Sequence, residues 1–235
     1  MDTVVCVGGG AIGSQAARDA RRNGDRVLVI DRDERCPSAG LADRRASEAD
    51  EVLAARPGEV LFLLRDGVAA LGDLMLRWTP DLVVPATPGH LAARLAVERA
   101  RARGRELVPC PDALDDVELA LPPGTVQLAD REHAVIVTSY MPPGGTCIDR
   151  CPRPLVCPVT SHPLPGPMHA AVGTALAASS FRTVVLTTSG TGVGGMAGKD
   201  LRALLRAVDQ LKESETLGVA TACSCHGVAN LLRLR

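Results

Sequence analysis

Five cysteines in the second half of the chain have residue types and spacing that could bind a metal. Cys147, Cys151 and Cys157 follow the pattern C-x3-C-x5-C, and Cys223 and Cys225 stand in C-S-C-H-G about 66 residues further on. Four thiolates can bind a 4Fe-4S cluster or a zinc ion. The sequence therefore predicts a metal site made of Cys147, Cys151, Cys157 and Cys223, and it leaves open whether Cys225 is the fourth ligand instead.

The loop around the first three cysteines indicates the kind of metal. Residues 140–163 are so rich in proline and glycine that neither a continuous helix nor a central strand can form there. Cys151 and Cys157 are each followed by proline, as occurs at cluster-binding cysteines, and the loop lacks the close C-x2-C pairs of structural zinc sites. These features favour a 4Fe-4S cluster. Zinc and metal-free, redox-active thiols stay open as alternatives.

Groups that could carry protons lie beside these cysteines and in one loop of the first half. Cys225 is predicted at the start of a helix, where a thiolate is stabilised, and His226 follows it directly. His90 ends the loop P-A-T-P-G-H after a predicted strand, at the sheet edge where ligands bind in open α/β folds. We therefore predict Cys225, His226 and His90 as catalytic residues. His162 and His169 are alternatives for proton transfer or for completing a zinc site.

A glycine-rich turn near the start of the chain has the spacing of a dinucleotide site. A short apolar strand leads into G-G-G-A-I-G, a helix follows, and a second apolar strand ends at Asp31. Gly8, Gly10 and Gly13 fill the G-x-G-x-x-G positions, which permit a tight turn, close approach of a pyrophosphate and packing of helix on strand. Asp31 is placed to accept hydrogen bonds from ribose hydroxyls. The predicted cofactor-binding residues are Gly8, Gly10, Ala11, Ile12, Gly13, Asp31, Arg32 and Asp66.

This pattern resembles the NAD(P)-binding Rossmann superfamily, and in particular the nucleotide-binding domains of bacterial potassium-uptake regulators, over residues 3–108. The resemblance implies that Asp66, in R-D-G after the third strand, helps to bind adenosine. An alternative role for Asp66 is to cap the helix that follows. Asp31 favours NAD over NADP, although Arg32 could receive a 2′-phosphate.

The order of the predicted elements indicates an α/β fold. We predict a doubly wound, mostly parallel, Rossmann-like sheet together with a second α/β half that carries the Cys-rich loop. The dinucleotide-binding half spans residues 1–112, and the Cys-rich half spans residues 113–235.

Shorter elements are predicted within this plan. They are a helix at 42–55, a fifth strand at 106–108, a hairpin at 126–139, helices at 168–179 and 198–211, strands at 183–188 and 218–222, and a short helix at 227–234. A second glycine-rich turn at 190–195 repeats the spacing of the first, but no acid follows the next strand. That turn could hold an anion and is not predicted as a second dinucleotide site.

Composition excludes several classes of partner. The 235 residues carry a net charge of −1, which gives no electrostatic case for nucleic acid or an anionic membrane. No apolar run reaches the roughly 20 residues that a membrane span requires. We therefore expect a cytoplasmic protein whose eight cysteines stay reduced. The expected partner is a small-molecule substrate, and a homodimer is left open.

These features predict an oxidoreductase that uses NAD(P), with NAD favoured, together with a 4Fe-4S cluster on a small-molecule substrate. One alternative is a sensor, in which NAD(H) binding or cluster oxidation shifts the conformation of a partner. Another is a nucleotide-binding protein that zinc stabilises and that catalyses no reaction.

Overall fold

The computed structural model describes residues 1–142, 144–148, 151, 156–189 and 194–235. Internal contacts divide the chain into two compact units. The first unit consists of Met1–Glu98 with Gly192–Ala203, and the second of Arg99–Thr191 with Leu204–Arg235. Each unit therefore combines two separate parts of the chain.

Strands and helices cover most of both units. Up to residue 101 the elements are β1 (Thr3–Val7), α1 (Ala11–Arg22), β2 (Arg26–Asp31), β3 (Arg44–Ala46), β4 (Val60–Leu64), α2 (Gly67–Arg77), β5 (Leu82–Pro85) and α3 (Leu91–Arg101). The later elements are β6 (Leu107–Pro109), α4 (Leu114–Ala120), β7 (Val126–Asp130), β8 (Val135–Ser139), α5 (Met168–Ala178), β9 (Arg182–Ser189), β10 (Gly195–Ala197), α6 (Gly198–Asp209), β11 (Thr216–Ala222) and β12 (His226–Leu234). Short 3-10 helices cover Ala39–Leu41, Ala49–Ala54 and Pro111–Ala113. No helix in the described residues is long and apolar enough to cross a membrane.

The first unit is built on a sheet of mostly parallel strands. Its strand order is β3-β4-β2-β1-β5-β10, in which the first five strands are parallel and β10 is antiparallel to β5. All five residues of β1 are buried, as expected for an apolar strand that is covered on both faces. Because β1 and β2 are parallel neighbours, they end at the same edge of the sheet. This edge carries Gly8 and Asp31, and the N–H of Gly8 donates to the carbonyl of Ile30 at 2.9 Å.

Small side chains let α1 pack closely on this sheet. The helix begins directly after Gly10 and buries Ala16, Ala17 and Ala20. These alanines share one apolar core with residues of β1, β2 and β4, including the fully buried Phe62. The packing fixes the start of α1 at the carboxyl edge of β1, where the glycine-rich turn lies.

The second unit has a mostly antiparallel sheet. Its order is β9-β11-β12-β8-β7, and β6 also pairs with β12. Among the described strands of this unit, β9 and β11 are the parallel pair. α5 packs on the sheet through Val172 and Leu176, in a core that also contains Phe181 and Leu231.

The two sheets confirm a mixed α/β fold and correct the predicted details. A mostly parallel sheet is found in the first unit, whereas the second unit is mostly antiparallel. The predicted fifth strand forms as β6, but it pairs antiparallel with β12 and does not extend the first sheet. This pairing draws residues after Arg99 into the second unit, so the observed division differs from the boundary predicted after residue 112.

Two predicted helices are wrong. Residues 42–55 form β3 and a 3-10 helix, because Arg44–Ala46 pairs with β4 and a capping box between Glu48 and Glu51 starts the short helix. Residues 227–234 belong to β12, because pairing with β11 on one side and β8 on the other satisfies the backbone as a central strand.

The other predicted elements of the second half fare better. The hairpin at 126–139 forms as β7 and β8, and the helices at 168–179 and 198–211 form as α5 and α6. The strands at 183–188 and 218–222 form as β9 and β11. Residues 190–193 of the second glycine-rich turn lie outside the described residues, and Gly195 begins β10.

Candidate functional site

The three glycines of the first turn have different surroundings. Gly8 has a φ of +110°, and a Cβ there would lie 2.2 Å from the carbonyl oxygen of Ala86. A Cβ on Gly13 would lie 1.9 Å from the carbonyl oxygen of Gly8. The fold itself therefore requires glycine at both positions. Gly10 has an ordinary φ of −67°, and no atom of the described residues lies within 4 Å of its would-be Cβ, so its backbone is open to a ligand.

Asp31 holds the glycine-rich turn in place. Its Oδ2 accepts a hydrogen bond of 2.5 Å from the backbone N–H of Gly9, and its Oδ1 accepts one of 2.8 Å from the N–H of Asp33. On the other side of the turn, the N–H of Ser38 donates to the Gly9 carbonyl at 3.0 Å. A carboxylate has about four acceptor positions, so Asp31 keeps the capacity to bind a ribose hydroxyl. The sequence predicts a ribose contact of Asp31 but not the hydrogen bonds by which Asp31 fixes the turn.

A cleft opens at the carboxyl ends of β1, β2 and β5. It has a volume of about 440 Å³, which is within the range of small-molecule sites. Next to Gly8 of the glycine-rich turn, the lining carries two carboxylates, two guanidinium groups and a hydroxyl. These groups belong to Asp31, Asp66, Arg32, Arg94 and Thr87. Three predicted cofactor-binding side chains thus meet in one cleft.

The remaining predicted residues of this unit have mixed positions. Ala11 and Ile12 form the exposed first turn of α1. Asp66 caps α2 by accepting hydrogen bonds of 3.0 Å from the N–H groups of Val68 and Ala69, which confirms the capping role. His90 precedes α3, and within the described part of the chain it is not among the residues that line the cleft.

In the second unit, Cys223 and Cys225 lie in the tight turn that joins β11 to β12. The sulfur of Cys223 accepts hydrogen bonds of 3.3 Å from the N–H groups of Cys225 and His226. The carbonyl of Cys225 accepts from the N–H of Tyr140 at 3.0 Å, and the carbonyl of Ser224 accepts from the first turn of α5 at 2.9 Å. Both sides of the turn are therefore fixed by backbone hydrogen bonds.

Four cysteines line a single pocket beside this turn. They are Cys147, Cys151, Cys157 and Cys225. His226 also lines the pocket, and the rest of the lining is largely apolar, including Tyr140, Met141, Ile148, Val159 and Leu164. The pocket therefore combines the three loop cysteines with Cys225 of the turn, whereas the sequence analysis gives Cys223 as the fourth ligand.

The imidazole of His226 lies between two of the thiols. Its Nε2 is 3.5 Å from Sγ of Cys147, and its Nδ1 is 3.8 Å from Sγ of Cys223. Among the described residues, no three His, Cys, Asp or Glu side chains are close enough together to hold a metal ion as they stand. Residues 149–150 and 152–155 of the cysteine loop lie outside the described part of the chain.

The two thiols of the turn differ in how readily they ionise. Burial on its own would raise the pKa of Cys223, but hydrogen bonds from the ring of His226 and from two backbone N–H groups lower this pKa to about 7. Burial, followed by the neighbouring thiols, raises the pKa of Cys225 to about 11. The prediction that a helix start would stabilise a Cys225 thiolate loses its basis, because a strand begins there.

The loop thiols are also unequal. Burial raises the pKa of Cys147, and the thiols of Cys151 and Cys157 add to the effect. A hydrogen bond from the side chain of Thr160 lowers the pKa of Cys157, with further help from backbone N–H groups. This contact of Thr160 is not among the features predicted from the sequence. A threonine three residues after a cysteine, as in C-P-V-T, is the signal that could have indicated it.

The other candidate side chains of the second unit are only partly associated with the pocket. The backbone N–H of His169 donates to the carbonyl of Cys223 at 3.1 Å. His162 is exposed, and its Nδ1 lies 2.6 Å from the carbonyl oxygen of Thr160. Neither histidine is among the pocket-lining residues of the described chain.

Sequence comparison places the chain in a family. Residues 92–235 match the model of the family AF_1314_C, which is described as "Uncharacterized protein, C-terminal domain". The chain belongs to this family. A protein of Archaeoglobus fulgidus, named "Uncharacterized protein", is 32% identical over 230 residues, which cover 97% of this chain and 98% of the relative.

Comparison with solved structures gives only distant similarity. Two crystal structures of N5-carboxyaminoimidazole synthetase from Staphylococcus aureus, one of them complexed with ADP, are 13% and 14% identical to the chain. The matches cover 97% of this chain but 46% and 47% of those chains, with TM-scores of 0.24 and 0.23. Similarity at this level carries no argument about fold or function.

Proposed function

We propose that the chain is an oxidoreductase that binds a nicotinamide dinucleotide in its first unit and a 4Fe-4S cluster in its second, and acts on a small molecule. The observation that carries this proposal is the single pocket lined by Cys147, Cys151, Cys157 and Cys225. A reducing cytoplasm would suit such a site, since no disulfide joins any of the eight cysteines, all of which lie in the described residues.

The residues of the first unit fit a dinucleotide. The order β4-β2-β1-β5 of parallel strands is that of one Rossmann half, in which the ligand lies across the carboxyl ends of the strands. The space at Gly10 would accommodate the pyrophosphate, and the N–H groups at the start of α1 would face it. Asp31 would bind the adenosine ribose, which favours NAD, and Arg32 is the residue through which NADP could still bind.

The donor set of the second unit fits a cluster. Four cysteine sulfurs are the usual ligands of a 4Fe-4S centre, and apolar neighbours such as Met141 and Leu164 would limit access of water. A bound cluster supplies one-electron transfer, and a bound nicotinamide supplies hydride transfer. His226 could hold a proton at Nε2, which lies at the edge of the same pocket.

Spectroscopy and metal analysis of anaerobically purified protein test this proposal. We expect iron and acid-labile sulfide together with a broad visible absorption band that bleaches on reduction. Titration with NAD(H) should show saturable binding. Cys151→Ala should remove the visible band and leave the NAD(H) titration unchanged. Colourless protein that contains neither iron nor sulfide would contradict the cluster, and absence of NAD(H) and NADP(H) binding would contradict the dinucleotide site.

The position of His226 favours zinc as a second candidate. Its Nε2 is 3.5 Å from the sulfur of Cys147, and three cysteines with one histidine are a common set of zinc ligands. Zinc would stabilise the second unit without carrying electrons. The same metal analysis distinguishes the two cases, because stoichiometric zinc in colourless protein supports this second candidate.

A further inference from the structure

We propose that Cys225, and not Cys223, supplies the fourth sulfur ligand of the cysteine pocket, and that Cys223 is a positioning residue that holds the turn presenting it. This inference rests on the proposed metal site. It also reverses the choice of Cys223 that the sequence pattern favours.

The two sulfurs of the turn differ in whether they line the pocket. Cys225 lines the pocket together with Cys147, Cys151 and Cys157, whereas Cys223 is not among the lining residues in the described part of the chain. The backbone of Cys225 is also attached to the wall of this pocket, because its carbonyl accepts the hydrogen bond from the N–H of Tyr140. The pocket therefore contains one sulfur from the turn and three from the loop.

The sulfur of Cys223 already has a structural role within the turn. It accepts two backbone hydrogen bonds of 3.3 Å, from the N–H groups of Cys225 and His226, and so closes the turn on itself. A short side chain that accepts backbone N–H groups two and three residues ahead is the same device that serine and threonine use in turns.

His226 connects the turn to the loop. One ring nitrogen faces the sulfur of Cys223 and the other faces that of Cys147, at 3.8 and 3.5 Å. Groups that hydrogen-bond to cluster sulfurs or orient their ligands tune metal affinity and reduction potential. Cys223 and His226 therefore form a second layer behind the ligands, in which Cys223 sets the turn and His226 contacts Cys147.

The test compares Cys225→Ala, Cys225→Ser, Cys223→Ala and Cys223→Ser with the wild-type protein after anaerobic reconstitution with iron and sulfide. The readouts are iron and sulfide per chain, visible absorption, and the rate of iron loss to a chelator. Both Cys225 variants should lose the absorption band of the wild type. Cys223→Ala should keep that band but lose iron about 10–100-fold more readily, as expected for a group behind the ligands. Cys223→Ser should recover most of the difference, because a hydroxyl oxygen can accept the same two N–H groups.

Several outcomes would overturn the assignment. These are loss of the band in Cys223→Ala with retention in Cys225→Ala, loss in both alanine variants, and retention in both. Wild-type protein that takes up no iron and sulfide overturns both the proposed function and the assignment, while a loaded wild type with the wrong pattern overturns the assignment alone. Far-ultraviolet circular dichroism and NAD(H) titration of each variant distinguish loss of a ligand from loss of folding. If Cys225→Ala is unfolded, the milder Cys225→Ser decides the outcome.

Discussion

Gly8, Gly10 and Gly13 belong to one glycine-rich turn, but their surroundings place different requirements on the residue type. At Gly8 and Gly13 a methyl group would collide with backbone oxygen atoms of the protein. At Gly10 it would meet no atom of the described residues, and the φ of −67° suits any residue. The protein therefore has no packing reason of its own for glycine at position 10, and the space there is available to a ligand.

Replacement of Gly10 by alanine should therefore separate binding from folding. We expect the free energy of unfolding of Gly10→Ala to lie within about 1 kcal/mol of the wild-type value, because alanine is at least as favourable as glycine at such a φ. It should weaken NAD(H) binding by about 10-fold or more, since the methyl group would occupy the space of the pyrophosphate. Isothermal titration and urea denaturation measure the two effects.

Gly13→Ala is the matched control for this prediction. Its methyl group would lie 1.9 Å from the carbonyl oxygen of Gly8, so α1 would have to move away from β1. We expect a loss of several kcal/mol of stability, of the size associated with overpacking in a core. Unchanged NAD(H) affinity in a folded Gly10→Ala protein would remove the dinucleotide claim.

Hydrogen bonds between residues that are far apart in the sequence cannot be predicted from local sequence patterns. The G-x-G-x-x-G spacing and the position of Asp31 indicated a site at the end of β1, and the structure brings Gly8, Asp31 and Asp66 to one cleft. The bond from the N–H of Gly9 to Asp31 could not be predicted, because it depends on how two strands are registered. The same holds for the contact of His226 with Cys147.

At the scale of elements, local pattern was informative where packing agreed with it. Apolar runs predicted β1, β2, β4 and β5, and α5 and α6 follow from their composition. Residues 227–234 are predicted as a short helix and instead form most of β12. The strand form of β12 depends on pairing with β8, which is distant in the sequence, and with β11, which lies across a turn. This pairing cannot be recognised from the nine residues of β12 alone.

Within the second unit, one ion pair joins the end of α3 to the end of α6. Arg99 donates two hydrogen bonds to Asp209, at 2.8 and 2.6 Å, and both side chains are partly buried. The hydrogen bonds from Arg99 lower the pKa of Asp209, with further help from the charges of Arg99, Arg103 and Arg105. A bidentate, partly buried pair of this kind contributes more than an exposed one.

This pair predicts a dependence of stability on pH. Because the pKa of Asp209 is lower in the folded state, its contribution is complete above the unfolded value of about 4 and is lost as the pH falls through the folded value. Asp209→Asn should reduce the free energy of unfolding by about 1–2 kcal/mol at pH 7, and the difference should shrink at pH 3. Urea denaturation at both pH values measures it.

Asp115→Asn provides a control for the ion-pair prediction. Asp115 pairs with Arg131 on the surface, where both side chains are more than half exposed. Such a pair contributes between about 0 and 1 kcal/mol. An Asp209→Asn effect no larger than that of Asp115→Asn, or one of equal size at pH 3 and pH 7, would contradict the role given to Asp209.

At the scale of the whole molecule, two units of the chain carry two candidate sites with separate supports. The cleft is formed by the edge of a parallel sheet, and the cysteine pocket by a loop and a hairpin turn. The sequence indicated both sites from their motifs. It did not indicate that residues 192–203 belong with the first unit, because that assignment depends on β10 pairing with β5.

Removal of the proposed metal should therefore affect one unit and spare the other. We expect the described residues between 140 and 163 and the turn at Cys223–His226 to exchange amide hydrogens about 10-fold faster or more after chelation, which corresponds to ~1.4 kcal/mol of local stability. β1 and β2 should keep their protection. Hydrogen exchange followed by mass spectrometry measures this, with Cys151→Ala as the matched metal-free protein. A loop that stays protected without metal would show that packing holds it.

The place of the β11–β12 hairpin in the chain also determines when the cysteine pocket can be completed during synthesis. Cys225 follows Cys157 by about 70 residues, which a ribosome adding about 5–20 residues per second needs ~4–14 s to produce. Throughout that interval the nascent chain has three of the four thiols of the pocket and lacks the turn that presents the fourth. A cofactor delivered to the growing chain would find an incomplete set of ligands. We therefore expect insertion of the proposed cluster to follow synthesis of the β11–β12 hairpin, so that this hairpin sets the earliest time at which the pocket can be completed.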